Sequence, residues 1–180
     1  MQKRKRHGRG NATIEFTLVG IPLVFVLIST IEMARGMWIY HTLAYAIKEG
    51  TRYAVGRGQN NSSASHATYQ GVCQAIRQAG TGLLPEDLTL TFHSATAPDQ
   101  ICTADGASCP TGPWPPSSTI DDQPGQTISI TGFYPFVSAI SMFWPGAGPG
   151  MTFTPPPAQA ACSNKVGFCL PASSMDVMQF

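Results

Sequence analysis

Gly10-Asn-Ala-Thr-Ile-Glu15-Phe16-Thr-Leu18-Val19-Gly-Ile-Pro22-Leu23-Val-Phe25-Val-Leu27-Ile-Ser-Thr-Ile31 decides how this chain is read. From Phe16 to Ile31 it holds sixteen uncharged, mostly apolar residues, with Glu15 just before them and Glu32 just after. A hydrocarbon core of about 30 Å takes about 20 helical residues. The segment is therefore adequate for one span if the two glutamates sit near the two interfaces. Its surface would carry Phe16, Leu18, Val19, Pro22, Leu23, Phe25, Leu27 and Ile31. Pro22 would cost about 3 kcal/mol inside a helix in water, but in a bilayer it gives a tolerated kink. An ionised carboxylate so close to lipid is costly unless it finds a partner, so Glu15 argues for a role.

Upstream lie Lys3, Arg4, Lys5, Arg6 and Arg9, five of the eleven basic residues. Basic flanks are retained in the cytoplasm, which predicts a cytoplasmic N-terminus. Beyond residue 10 only six basic residues face ten acidic ones, so no nucleic-acid partner is expected. Beside an apolar span, topology and anionic lipid explain the basic head better than DNA does. A cleaved secretory signal would need a small-x-small site after the apolar run. Ser29-Thr-Ile31 and Ala34-Arg-Gly36 are poor versions of one, and such a signal has no reason to keep Glu15.

Downstream, Trp38 and Tyr40 stand where an outer aromatic belt belongs. Met37, Tyr40, Ala44, Ile47, Thr51 and Ala54 then recur at spacings of three and four, which predicts a continuing helix with one apolar face. Glu49 and Arg52 are close enough to pair. Gly56-Arg57-Gly58 ends the pattern. A helix over 12–55 would be roughly 65 Å long, so about half of it would project beyond lipid. The remainder predicts a second helix over 65–79 with Tyr69, Val72, Ile76 and Ala79 on one face, and Gly80 as its stop. Residues 88–93 and 126–133 alternate as half-buried strands, and 151–154 reads as a short third. Residues 94–125, with six prolines, read as a long loop. The apolar stretch Phe136–Trp144 is expected to pack under the long helix, ahead of the alternatives that it lies against the membrane surface or a neighbouring subunit, and the tail from Gln159 to wrap the domain.

Five cysteines lie beyond the apolar segment, on the side where disulfides persist if the N-terminus is cytoplasmic. Cys102 with Cys109, and Cys162 with Cys169, share one spacing and are candidate pairs; Cys73 is then left over, and other connectivities stay open. As a spare, Cys73 reads as a buried small hydrophobe or as half of a disulfide, rather than as a catalytic thiol.

At this point the residues resemble a known family. Gly10-Asn-Ala-Thr-Ile-Glu15-Phe16, the Leu-Val-Gly-Ile-Pro22 step and Ile31-Glu-Met-Ala-Arg35-Gly36 look like the N-terminus of TadE-like pseudopilins, small proteins of tight-adherence pilus systems related to type IV pili. Glu49-Gly50-Thr-Arg52-Tyr53-Ala54 resembles that family's Glu-Gly-Ala-Arg-Tyr-Ala signature, with Thr51 in place of alanine. The match is specific over about residues 8–56, and 126–136 resembles a late strand of the family more loosely. The resemblance implies that prepilin peptidase cleaves between Gly10 and Asn11 and that Glu15 acts in assembly by meeting a neighbouring subunit's free amine. It also implies that other pilin-like subunits and pilus assembly proteins are partners, besides membrane lipid. Asn11 departs from the best-known prepilins, which place a bulky apolar residue there.

No enzyme emerges from the chain. The four histidines show no ligand spacing, and neither a phosphate-binding loop nor a nucleophile motif is present. Asp121-Asp122 read as solvated loop carboxylates. No cofactor and no metal are expected. The expected architecture is α+β: a leader over 1–10, a membrane helix over 11–36, its extramembrane continuation over 37–58, and over 59–180 a small periplasmic or extracellular domain with a second helix and a short antiparallel sheet. Two rivals remain. One is an uncleaved single-pass anchor carrying a binding or adhesion module; the other is a secreted redox or metal enzyme built on Cys73.

Overall fold

The computed structural model describes residues 10–58, 65–116, 120–138, 162 and 168–179. Helix α1 runs Gly10–Val55 without interruption, Pro22 included. At 46 residues its length is about 69 Å at the usual rise per residue. Helix α2, Tyr69–Ala79, is capped by the Thr68 hydroxyl, which accepts from the Gly71 N–H at 3.0 Å, and it stops at Gly80 as expected. The predicted start at residue 65 is corrected to Tyr69, because Thr68 is extended and supplies the cap.

Four strands form one antiparallel sheet in the order β2-β1-β3-β4, with β1 Thr89–Ser94, β2 Gln100–Thr103, β3 Thr127–Phe136 and β4 Phe168–Val177. The fold is thus α+β, as the sequence predicts. Strands β1 and β3 are the expected ones, and β3 runs on through Tyr134-Pro135-Phe136. Strands β2 and β4 correct the reading of their segments as loop and wrapping tail. Strand β4 carries Pro171, Ser173 and Ser174 and lacks alternation. It is a strand because it pairs with β3 along its whole length, from Thr127↔Val177 to Phe136↔Phe168. As an edge strand it tolerates Pro171. The strand expected at 151–154 lies outside the described residues.

The core lies between the two helices and one face of the sheet. Leu90 and Phe92 of β1 and Ile128, Ile130 and Tyr134 of β3 point into it, against Leu43, Ala46 and Ile47 of α1 and Val72 and Ile76 of α2. Trp114, only 1% exposed, closes one end. Its ring lies 4.9 Å from Phe92, which meets Tyr69 edge-on at 5.3 Å.

Asp121 and Asp122 are buried, which overturns their reading as solvated carboxylates. The chain folds back so that the Asp121 carboxylate accepts from the Thr96 N–H at 2.9 Å, the Thr96 hydroxyl at 2.9 Å and the Ala97 N–H at 3.0 Å. Three donors replace the lost water, which makes burial tolerable. They come from about 25 positions away, where no local pattern reveals them.

Candidate functional site

Helix α1 has two halves with opposite surroundings. Phe16, Leu18, Val19, Leu23, Phe25, Leu27 and Ile31 are all more than half exposed, and Phe16 reaches 77%. Pro22 and Glu15 are exposed on the same stretch. Gly10 and Asn11 occupy the first turn. This is the one helix among the described residues that is long and apolar enough to cross a membrane, and no part of its most apolar window is buried. A helix from the core of a soluble domain would be mostly buried, so the apolar half is a candidate membrane span.

The second half is built into the domain. Its buried face is Leu43, Ala46, Ile47, Gly50, Thr51, Ala54 and Val55. The expected face is corrected in part: Ile47, Thr51 and Ala54 are on it, whereas Met37 and Tyr40 are exposed. Small residues decide the contact. A Cβ on Gly50 would overlap Ile76 Cγ1 of α2 and lie 2.8 Å from its Cδ1. A Cβ on Gly132 of β3 would lie 2.6 Å from Ile47 Cδ1. Helix α1 therefore sits in a socket with a glycine on each side, one its own and one from the sheet.

The residues read as a family signature surround that socket. Glu49 and Arg52 form an ion pair at 3.0 Å on the outer face. Exposed pairs of this kind contribute about 0.3–0.5 kcal/mol. Tyr53 packs over Gly71, whose added Cβ would meet the Tyr53 hydroxyl at 2.8 Å, and the Arg57 guanidinium lies 4.3 Å from the Tyr53 ring centre. Thr51, the departure from the pattern, is buried and donates its hydroxyl to the Ile47 carbonyl at 3.0 Å.

A second clasp joins helix and sheet near the end of the apolar half. Arg35 pairs with Glu32 at 3.2 Å, donates to the Val137 carbonyl, and lies 4.8 Å from the centre of the Phe136 ring. Phe136 in turn covers Gly36. Phe136 and Val137, which open the apolar stretch, thus meet the long helix as expected. Its residues 139–144 lie outside the described set. Sequence reading missed Arg35, Phe136 and Gly132 as a group, since their partners lie about a hundred positions away in the chain.

Disulfides join Cys102 to Cys109 and Cys162 to Cys169, matching the two candidate pairs. Cys73 is the free thiol and is buried. Burial pushes its pKa up to about 11; the Asp105 carboxylate adds to the rise, and the Arg77 guanidinium opposes it.

The class defined by this arrangement is a protein with one candidate membrane helix whose extension is an integral part of a small α+β domain. Residues 10–52 match the family model described as TadE-like protein. Neither the curated proteins nor the solved structures yield a match to the chain. The matched stretch covers the apolar half and ends inside the Gly50 socket. It coincides with the segment that carried the resemblance.

Proposed function

We propose that this chain is a TadE-like minor pilin or pseudopilin, without enzymatic activity, that contributes to the assembly of tight-adherence pili from the bacterial inner membrane. In this reading it crosses that membrane once, with its N-terminus cytoplasmic and its domain periplasmic or extracellular. The observation that carries the proposal is the coincidence of the family match over residues 10–52 with a helix that is bare in its apolar half and socketed in the other. Lipid would hold the subunit until other pilin-like helices bury the same apolar surface. Phe16, Leu18, Val19, Leu23, Phe25, Leu27 and Ile31 would then exchange lipid for helix contacts. Prepilin peptidase would cut between Gly10 and Asn11, and Glu15 would set register by pairing with a neighbour's new amino terminus. That pairing removes the cost of holding a carboxylate in an apolar setting.

The test uses a strain that carries the peptidase and the pilus system. Amino-terminal sequencing of the membrane-extracted protein should begin at Asn11. A Gly10→Asp protein should keep its full leader and migrate more slowly than the wild type. Glu15→Ala should remain in the membrane fraction while its recovery with pili or the assembly complex drops at least tenfold, which corresponds to about 1.4 kcal/mol or more of lost association. An intact Met1 on the wild-type protein would refute processing and favour an uncleaved anchor. Unchanged recovery of Glu15→Ala would refute the role of the carboxylate.

A further inference from the structure

Three sulfur atoms meet where α2 packs against the loop after β2. Cys73, Cys102 and Cys109 all lie within 4.8 Å of one another. Cys102 and Cys109 are bonded, and the Cys73 sulfur stands 3.3 Å from that of Cys109. A third thiol in contact with a disulfide can exchange with it by attack of a thiolate on one sulfur of the bond, once a turn of the Cys73 side chain brings the three sulfurs into line. Cys73 lines an open cavity of about 390 Å³ together with Gln70, Gln74, Arg77, Asp105 and Gly106.

We propose that the domain has two disulfide isomers, one with Cys102–Cys109 and the other with Cys73–Cys109, interconverted by direct exchange. Cys73 loses its proton, and its sulfur attacks Cys109 Sγ. The Cys73–Cys109 bond forms as the Cys109–Cys102 bond breaks, and the departing electron pair stays on Cys102, which takes up a proton. One thiol and one disulfide are present before and after, so neither oxidant nor reductant is consumed. The consequence is a change in what is tied to what. Cys102–Cys109 closes a small loop with a separation of 7 residues. Cys73–Cys109 would span 36 residues and bind α2 covalently to the loop after β2.

The charged groups that bear on Cys73 are Arg77 of its own helix and Asp105 of the facing loop. Desolvation is the leading cause of its raised pKa, about 11, so little thiolate exists at neutral pH. Exchange is therefore slow at pH 7 and accelerates about tenfold per pH unit until the thiol titrates.

The full-length protein in detergent is incubated at pH 7, 8 and 9, quenched in acid, digested with pepsin and mapped without reduction by mass spectrometry. A peptide pair linked through Cys73 and Cys109 is expected, approaching its plateau about tenfold faster at each step. A second arm exports the Cys102→Ser protein to the periplasm and counts thiols after denaturation. With Cys73–Cys109 and Cys162–Cys169 both closed, the expected count is zero. Two titratable thiols in that variant, or only Cys102–Cys109 in the wild type at every pH after equilibration, would overturn the proposal. Both readouts are independent of pilus assembly.

Discussion

Gly50→Val is expected to destabilise the α+β domain by about 3 kcal/mol, the upper end of what overpacking a filled core costs. The reason is local and geometric. Helices α1 and α2 approach so closely at this point that even a methyl group would collide with Ile76 Cγ1 and sit 2.8 Å from its Cδ1, with Val72 Cγ1 at 3.5 Å behind. Valine adds two further carbons, and neither neighbour can retreat, because Ile76 and Val72 are fully buried. The helix must move, and with it Ile47, which is already pressed against Gly132. Chemical denaturation of the full-length protein in detergent, followed by far-ultraviolet circular dichroism, reads the effect. Ile76→Ala alone should cost about 2–5 kcal/mol. In the double variant the cavity accepts the valine, so its loss should fall short of the sum by 1 kcal/mol or more. Additivity within about 0.5 kcal/mol would mean that the two residues do not oppose each other.

Trp114→Ala is the second large effect, with an expected loss of about 3–5 kcal/mol. Among the described residues Trp114 is the largest fully buried side chain. It stacks edge-on with Phe92 at 4.9 Å and lies 6.2 Å from Tyr69. Its backbone N–H donates to the Ala67 carbonyl at 2.9 Å, so the same residue pins the proline-rich segment to the start of α2. Truncation would leave a cavity lined by two aromatic rings. A midpoint lower by about 10–20 °C in a thermal scan is expected for a domain of this size. Trp114→Phe should recover more than half of the loss, since it keeps an edge-on ring in the pocket. A midpoint for Trp114→Ala within a few degrees of the wild type would show that this end of the core is not packed as described.

Local patterns and covalent spacing carried much of the architecture. The apolar run from Phe16 to Ile31 and the three-and-four spacing after it were enough for a helix of nearly the right length. Alternation revealed β1 and β3. The matched spacing of Cys102 with Cys109 and of Cys162 with Cys169 anticipated both disulfides. Glu49, Gly50, Arg52 and Tyr53 were recognisable as a signature, but their mutual arrangement was not.

What long-range packing alone decided follows from one physical limit: a pattern reports period, not partner. Strand β4 exists because β3 offers ten residues of unpaired backbone, not because Phe168–Val177 alternates. Asp121 is buried because Thr96 and Ala97 bring donors to it. Gly50 and Gly132 are needed for the space that Ile76 and Ile47 occupy, and the sulfur of Cys73 rests 3.3 Å from Cys109 because α2 is packed there. Hydrophobic periodicity and chain spacing act over a few residues and are written into the primary structure. Steric fit and the satisfaction of buried polar groups depend on atoms far apart along the chain, so they take effect only once the chain has folded.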